Sequence, residues 1–294
     1  MIMKILLIGA NGQLGSDIAK VFWKKDFFKI IPVNRPEVDI TNYSSVKNAI
    51  SNYHPEIVIS TAAFHRVDQC EKDLNNSFSV NAFGVGNLAS ICQQNNIVFV
   101  HFSTDYVFGA DSKRISAYAE NDMPGPVNVY GISKLAGEYF IKYSAEKFFI
   151  IRTCGLYGVA GPQAKGDNFV DSIIKKSINE RQIAVVNDQI ATPTSTLNLA
   201  TNLHELLKTS HFGLYHMTNE GECSWYEFAQ EIVRLIGAKT KIIPVSSASF
   251  YSQVKRPHYS VLENYNLKKI NLNKMESWKT ALKKYLVEKN HLRI

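Results

Sequence analysis

Along the first half of the chain, short apolar runs alternate with stretches whose apolar residues recur every three or four positions. "MKILLI", "FKIIPV", "EIVIS", "IVFVHFST" and "FFIIRT" are too short to be buried helices and read as strands, and an amphipathic segment follows each of the first four. Runs with so few polar interruptions suit strands covered on both faces. Their alternation with helical segments predicts an α/β fold, a Rossmann-type doubly wound parallel sheet with helices on both sides. "NNSFSVNAFGVGNLASICQQNN" reads as one long helix within that pattern.

Beyond Gly155 the alternation loosens into "GVAGPQAKGDNF", "DQIATPTST" and "SSASFYSQVKRPHYSVLEN". Loops of that length inside a compact chain are more often functional than idle. The reading is therefore a nucleotide-binding domain over residues 1–154, completed by segments near 183–210, and a smaller C-terminal α/β substrate domain over 155–294.

In sheets of this kind ligands gather at the carboxyl ends of the strands, and the sequence has candidates at each end. After the first strand, Gly9, Gly12 and Gly15 open a helix with G-x-x-G-x-x-G spacing. That turn lets backbone approach a pyrophosphate, and the helix start offers amide donors, so Asn11, Gln13 and Leu14 join the glycines in a dinucleotide site. After the second strand, Asn34 and Arg35 stand where an NAD-selective site has an acidic residue. An arginine there pairs with a 2′-phosphate, which favours NADPH and leaves NADH open. Asp39, beside Ile40, either hydrogen-bonds the adenine edge or helps cap the helix that begins near Thr41 and Asn42. After the third strand, the small Ala62 and Ala63 leave room for ribose or nicotinamide.

The fourth strand ends in Thr104, and the helix after it carries Tyr130 and Lys134, four residues apart and so on one face. A phenol beside a fixed ammonium is a usable acid at neutral pH if the cation draws it toward phenolate, and the Thr104 hydroxyl can hold a carbonyl oxygen nearby. Spacing alone is weak evidence, because Tyr and Lys stand four apart at five other places, from Tyr43/Lys47 to Tyr285/Lys289. What sets Tyr130 apart is "STD" at a strand end before it, Pro126 and Asn128 as helix-start signals, and small neighbours at Gly131, Ala136 and Gly137. Farther on, Asn168 at a helix start and Arg256 either grip a phosphate or serve the surface.

Composition narrows the remaining classes. The net charge is +7, yet its basic residues are dispersed and form no nucleic-acid motif, so a nucleic-acid partner is not expected. No apolar run reaches the roughly 20 residues that span a bilayer, which argues for a cytoplasmic protein with no membrane partner. The four cysteines lack C-x-x-C pairing or clustered histidines, so neither a disulfide framework nor a metal site is indicated.

Nine blocks occur in order along nearly the whole chain: "GANGQLG", "DIT", "AAFHRVDQCE", "STDYVF", "NVYGISKLAGE", "RTCGLYG", "DQIATPT", "GLYHMTNEGECSWYEFA" and "RPHYSVL". Together they resemble the dTDP-4-dehydrorhamnose reductase family of extended short-chain dehydrogenase/reductases. The resemblance implies a Rossmann domain with a small sugar-nucleotide domain, and reduction of a 4-keto sugar nucleotide by NADPH or NADH. It makes Tyr130 the general acid, Lys134 its electrostatic partner and ribose ligand, and Thr104 the carbonyl donor. Val67, Asp105 and Tyr106 would line the sugar pocket. Similar dehydratases carry Glu where this chain has Tyr106, which favours simple reduction.

Three departures bear on the sugar. Gly155 replaces the family tryptophan, Ser60 an asparagine and Ala191 a glycine. Two alternatives therefore stay open: a reductase or epimerase of another keto-sugar nucleotide, and a cofactor-binding regulatory subunit similar to the β subunit of methionine adenosyltransferase. A homodimer is compatible with the sequence, which carries no decisive signature of oligomeric state.

Overall fold

The computed structural model describes residues 2–23, 27–160, 166–249 and 254–292. Its first half runs β1 (Met3–Ile8), α1 (Gln13–Trp23), β2 (Phe28–Val33), α2 (Tyr43–Tyr53), β3 (Ile57–Ser60), α3 (Val67–Lys72), α4 (Leu74–Phe78), α5 (Gly84–Gln94), β4 (Val98–Thr104), α6 (Val129–Ser144) and β5 (Phe148–Thr153). The second half adds β6 (Leu156–Tyr157), α7 (Phe169–Asn179), β7 (Gln182–Val186), β8 (Ile190–Ala191), β9 (Thr194–Ser195), α8 (Thr196–Leu206), β10 (Gly213–His216), β11 (Cys223–Ser224), α9 (Trp225–Ile236), β12 (Lys241–Val245), α10 (Tyr265–Lys269) and α11 (Trp278–Glu288).

The apolar runs become a six-stranded sheet in the order β10-β5-β4-β3-β1-β2, every neighbouring pair parallel. Its inner strands β1, β3, β4 and β5 are buried on both faces, as their composition demands, while the edge strand β2 exposes Lys29 and Pro32. On one face α1 and α8 turn Leu14, Ile18, Phe22, Leu199 and Leu203 onto Ile5, Leu7 and Ile59. On the other, Val46, Ile50, Leu88 and Ile141 from α2, α5 and α6 cover Leu6, Val58 and Phe99. The chain leaves β1 for β2 on one side and returns to β3 on the other, so the crevice of a doubly wound sheet opens between β1 and β3.

The sixth strand of the sheet is β10 at 213–216, and α8, which lies in the stretch near 183–210, covers one face; β7 pairs with β12 in a separate two-stranded sheet. That sheet, with α7, α9 and α11, surrounds its own core of Tyr157, Ile173, Phe228, Trp278 and Leu282. The long helix expected over 75–96 is present as an unbroken helical run from 74 to 94, with one irregular turn inside it. A π-helical turn at Ser79–Phe83 separates α4 from α5, and there the Asn81 amide is buried, donating to Phe64 O at 2.9 Å and Ser133 Oγ at 3.0 Å. Meeting those partners favours the wider turn over a regular helix.

All four cysteines are buried thiols outside any disulfide. Among the described residues no helix is long and apolar enough to cross a membrane, and no three His, Cys, Asp or Glu side chains cluster as a metal site would require.

Candidate active site

A cavity of about 710 Å³ opens along the carboxyl ends of the strands, within the range for cofactor and small-molecule sites. At its β1 end, Gly9 has φ +83°, a left-handed conformation that favours glycine. A Cβ on Gly15 would lie 2.2 Å from Gly9 O, so only glycine lets α1 close onto the turn. Gly12, Asn11, Gln13 and Leu14 all line the wall. Because α1 begins at Gln13, its first-turn N–H groups have no intrahelical acceptor and form an anion-seeking edge. Thr61 holds the turn from below, its hydroxyl donating to Ile8 O and Gly9 O at 3.0 Å.

Asn34, Arg35, Asp39 and Ile40 form the next stretch of wall. Asn34 Oδ1 accepts from Asn11 N at 2.9 Å and so ties the end of β2 to the glycine turn. The Arg35 side chain is 76% exposed and reaches Asp39 at 3.5 Å, leaving its guanidinium available to a phosphate at the rim. Of the two readings for Asp39, capping belongs to Asn42, which accepts from Ser45 N. Asp39 instead accepts from the amide and hydroxyl of Thr41 in the turn before that helix, and it lines the cavity. Thr41 and Arg35 hold its carboxyl below the usual range. Ala62 and Ala63 follow β3 on the same wall.

Thr104 ends β4, and α6 starts at Asn128, whose side chain accepts from Gly131 N. That start brings Tyr130 and Lys134 to the cavity beside Thr104, Asp105, Tyr106 and Val67. The closeness depends on glycine: a Cβ on Gly131 would lie 2.1 Å from Tyr106 O, and one on Gly137 2.3 Å from Asn81 O. The Thr104 hydroxyl donates to Asp105 Oδ1 at 3.0 Å and accepts from Tyr106 N at 3.1 Å. Asp105 Oδ2 also accepts from Ser260 Oγ at 2.6 Å and Cys154 Sγ at 3.1 Å. Burial raises the Asp105 carboxyl and those donors oppose the rise.

The electrostatics of the pair differ from the sequence expectation. Lys134 Nζ turns inward, donating to Phe102 O at 2.5 Å with His101 Nε2 at 2.9 Å. Burial lowers its amine to about 7, against a smaller upward pull from Glu138. The Tyr130 phenol is pushed up rather than drawn toward phenolate, first by burial and then by the Asp105 charge, while the Thr104 hydroxyl works the other way. The phenol therefore rests as a protonated acid. Desolvation of both groups outweighs the attraction that their spacing suggested.

The two phosphate candidates fare differently from the wall residues. Asn168 touches the cavity, but it caps α7: its Oδ1 accepts from Asp171 N, and its amide nitrogen faces Gln13 Oε1, Gly158 O and Tyr285 OH at 3.1–3.3 Å. Arg256 lies off the cavity wall and meets Asp68 at 3.3 Å. Residues that sequence reasoning did not single out complete the site: Cys154, Trp225 and Ser260 on the wall, and His101 behind Lys134. The "HFSTD" run held the one available signal, a histidine at a buried strand position.

A doubly wound sheet with a glycine turn over its crevice, and a Thr, Tyr and Lys set beyond it, defines a nucleotide-cofactor protein of the short-chain dehydrogenase/reductase kind. The chain belongs to the family described as RmlD substrate binding domain, whose sequence model matches residues 3–291. It is 35% identical over 287 residues to the spore coat polysaccharide biosynthesis protein SpsK of Bacillus subtilis, covering 98% of each chain. A dTDP-4-dehydrorhamnose reductase of Streptomyces griseus is 34% identical, over 94% of this chain and 91% of that protein. A crystal structure of dTDP-4-dehydrorhamnose reductase from Bacillus anthracis in complex with NADP superposes with a TM-score of 0.92 at 37% identity, covering 98% of this chain and all of that one.

Proposed function

We propose that the chain reduces the 4-keto group of a nucleotide-linked 4-keto-6-deoxy sugar with NADPH, the substrate being dTDP-4-dehydro-L-rhamnose and the product dTDP-L-rhamnose. The observation that carries this reading is the meeting of Thr104, Tyr130 and Lys134 at one cavity wall, with Tyr106 where a dehydratase has its second acid. The relatives named above support the substrate class, and the NADP in the Bacillus anthracis structure supports the cofactor.

The wall fits such a dinucleotide. Gly12 leaves its Cβ position open apart from Gly9 O at 3.3 Å, the amides at the start of α1 suit a pyrophosphate, and exposed Arg35 suits a 2′-phosphate. Gly9, Asn11, Gly12, Gln13, Leu14, Asn34, Arg35, Asp39, Ile40, Ala62, Ala63 and Lys134 would hold it. When bound, the reduced nicotinamide supplies the hydride.

The residues of the chain handle the proton and the oxygen. Tyr130 arrives protonated and gives its proton to the incipient alkoxide. Thr104 holds that oxygen once its hydroxyl turns from Asp105 Oδ1, so Asp105 and the carbonyl compete for one hydrogen. Lys134, near neutrality in its titration, supplies a cation under the ribose and the phenol. Val67, Asp105 and Tyr106 bound the sugar.

Oxidation of NADPH and of NADH, followed with a panel of keto-sugar nucleotides and with the product's stereochemistry determined, tests the reading. Turnover of dTDP-4-dehydrorhamnose to the rhamnose configuration is the expected result. No turnover with any keto sugar, or selective turnover of another one, would overturn it.

A further inference from the structure

Gly155 has φ +53°, where any side chain is strained. A Cβ built there lies 3.1 Å from Cη2 and 3.7 Å from Cζ2 of Trp225. The indole of Trp225 thus fills the volume into which a side chain at 155 would grow. It comes from the far side of the site, as the first residue of α9.

Its position is well fixed. Ser224 caps α9 in a full capping box with Glu227, and β11 pairs with β8 so that Cys223 lies opposite Ala191. Phe169 packs on the indole at 4.7 Å between ring centroids, and Phe228 at 6.2 Å. One side of Trp225 stays open to the cavity, where it shares the wall with Gly155 and Cys154. Cys154 in turn contacts Asp105, the neighbour of Thr104. An aromatic face braced at that end of the cavity can take the C–H side of a hexose ring.

We propose that Trp225 is the specificity-determining wall of the sugar subsite, an aromatic face supplied by α9. The assignment rests on the reductase reading above and refines it: the sugar contact comes from the small domain, while the nucleotide is held elsewhere.

Titration calorimetry of the whole chain with dTDP-L-rhamnose and with dTDP separates the sugar from the nucleotide. Trp225→Ala should weaken dTDP-L-rhamnose by roughly 10- to 100-fold, the range for losing a buried aromatic contact, and leave dTDP unchanged. Equal losses for both ligands, or no loss for the sugar nucleotide, overturns the assignment. Should Trp225→Ala not fold, Trp225→Leu, which keeps apolar bulk without an aromatic face, repeats the calorimetry: weaker dTDP-L-rhamnose with dTDP unchanged is the expected result, and equal affinities to the wild-type chain for both ligands overturn the assignment. A wild-type chain that binds neither ligand and oxidises no NADPH overturns the reductase reading and this assignment together, whereas full turnover with an unaffected Trp225→Ala overturns this assignment alone.

Discussion

Lys134 Nζ sits 2.9 Å from Nε2 of His101, and both side chains are fully buried. Burial and the lysine charge hold the imidazole neutral, and burial lowers the amine from its ordinary 10.5 to about 7. A cation in that position costs the cofactor-free protein stability. Below pH 7 both folded and unfolded chains carry the proton, so the penalty is complete. Between about 7 and 10.5 the unfolded chain holds more protons, and stability recovers as pH rises. Lys134→Met should therefore stabilise the cofactor-free protein at neutral pH, on the order of 1–4 kcal/mol for replacing a buried charge. Thermal melts across the pH range should show that gain shrinking toward alkaline pH; a gain that is flat or grows with pH contradicts the titration.

Replacing Tyr130 with Phe removes the proton and keeps the ring. Turnover should fall by roughly two to four orders of magnitude, the usual contribution of a general acid. NADPH affinity, measured by nicotinamide fluorescence, should hold steady. Retained turnover would take the acid role from Tyr130.

Arg35 is the exposed cation at the rim, tethered to Asp39 at 3.5 Å. A charge-assisted hydrogen bond is worth roughly 1.5–3 kcal/mol, so Arg35→Ala should weaken NADPH by about one to two orders of magnitude and spare NADH. Parallel fluorescence titrations of the two cofactors measure this. An equal loss for both would show that the residue does not read the 2′-phosphate.

On the buried side of α6, Glu138 pairs with Arg152 of β5 through contacts of 2.7 and 2.8 Å, and Ser103 donates to the same carboxylate at 2.6 Å. Glu138→Leu alone strands a buried guanidinium and should cost about 3–5 kcal/mol. Pairing it with Arg152→Met should recover much of that loss. Denaturant melts of the two single variants and the double variant would expose an additive result, which would deny the coupling.

The seat of α6 offers a steric test. A methyl on Gly137 would press on the backbone oxygen of Asn81, a contact that only backbone movement relieves. Gly137→Ala should cost about 1–3 kcal/mol of stability by overpacking. Displacing Tyr130 by about an ångström should also lower turnover by roughly 100-fold. Normal kinetics in a well-folded variant would show that the helix has room to give.

Much of this is legible in the residues themselves. The strands announced themselves because both faces are buried and their residues are almost all apolar; Thr104 and Tyr130 could be found because a strand end and a capped helix start fix where they point. The spacing of Tyr130 and Lys134 brings both to one cavity wall, but spacing carries no information about desolvation, which lowers the Lys134 amine. A capping asparagine and a phosphate-gripping one look the same in sequence, and the partners of Asn168 at Gln13, Gly158 and Tyr285 come from distant parts of the chain. Trp225 was out of reach altogether, because it meets Gly155 across 70 residues of chain and no local periodicity records which ring fills a gap. The π turn at Ser79–Phe83 was hidden likewise, its cause being Asn81 bonding to Phe64 and Ser133.

The edge strand β10 is drawn from residues 213–216, long after the chain has left β5 to build much of its other lobe. During synthesis, then, the sixth strand has to wait until roughly three-quarters of the protein has emerged, and its slot beside β5 stands open in the meantime. A nascent chain halted before that point would present an unpaired apolar border to its surroundings, and any attempt to express the first 154 residues alone meets the same exposed margin.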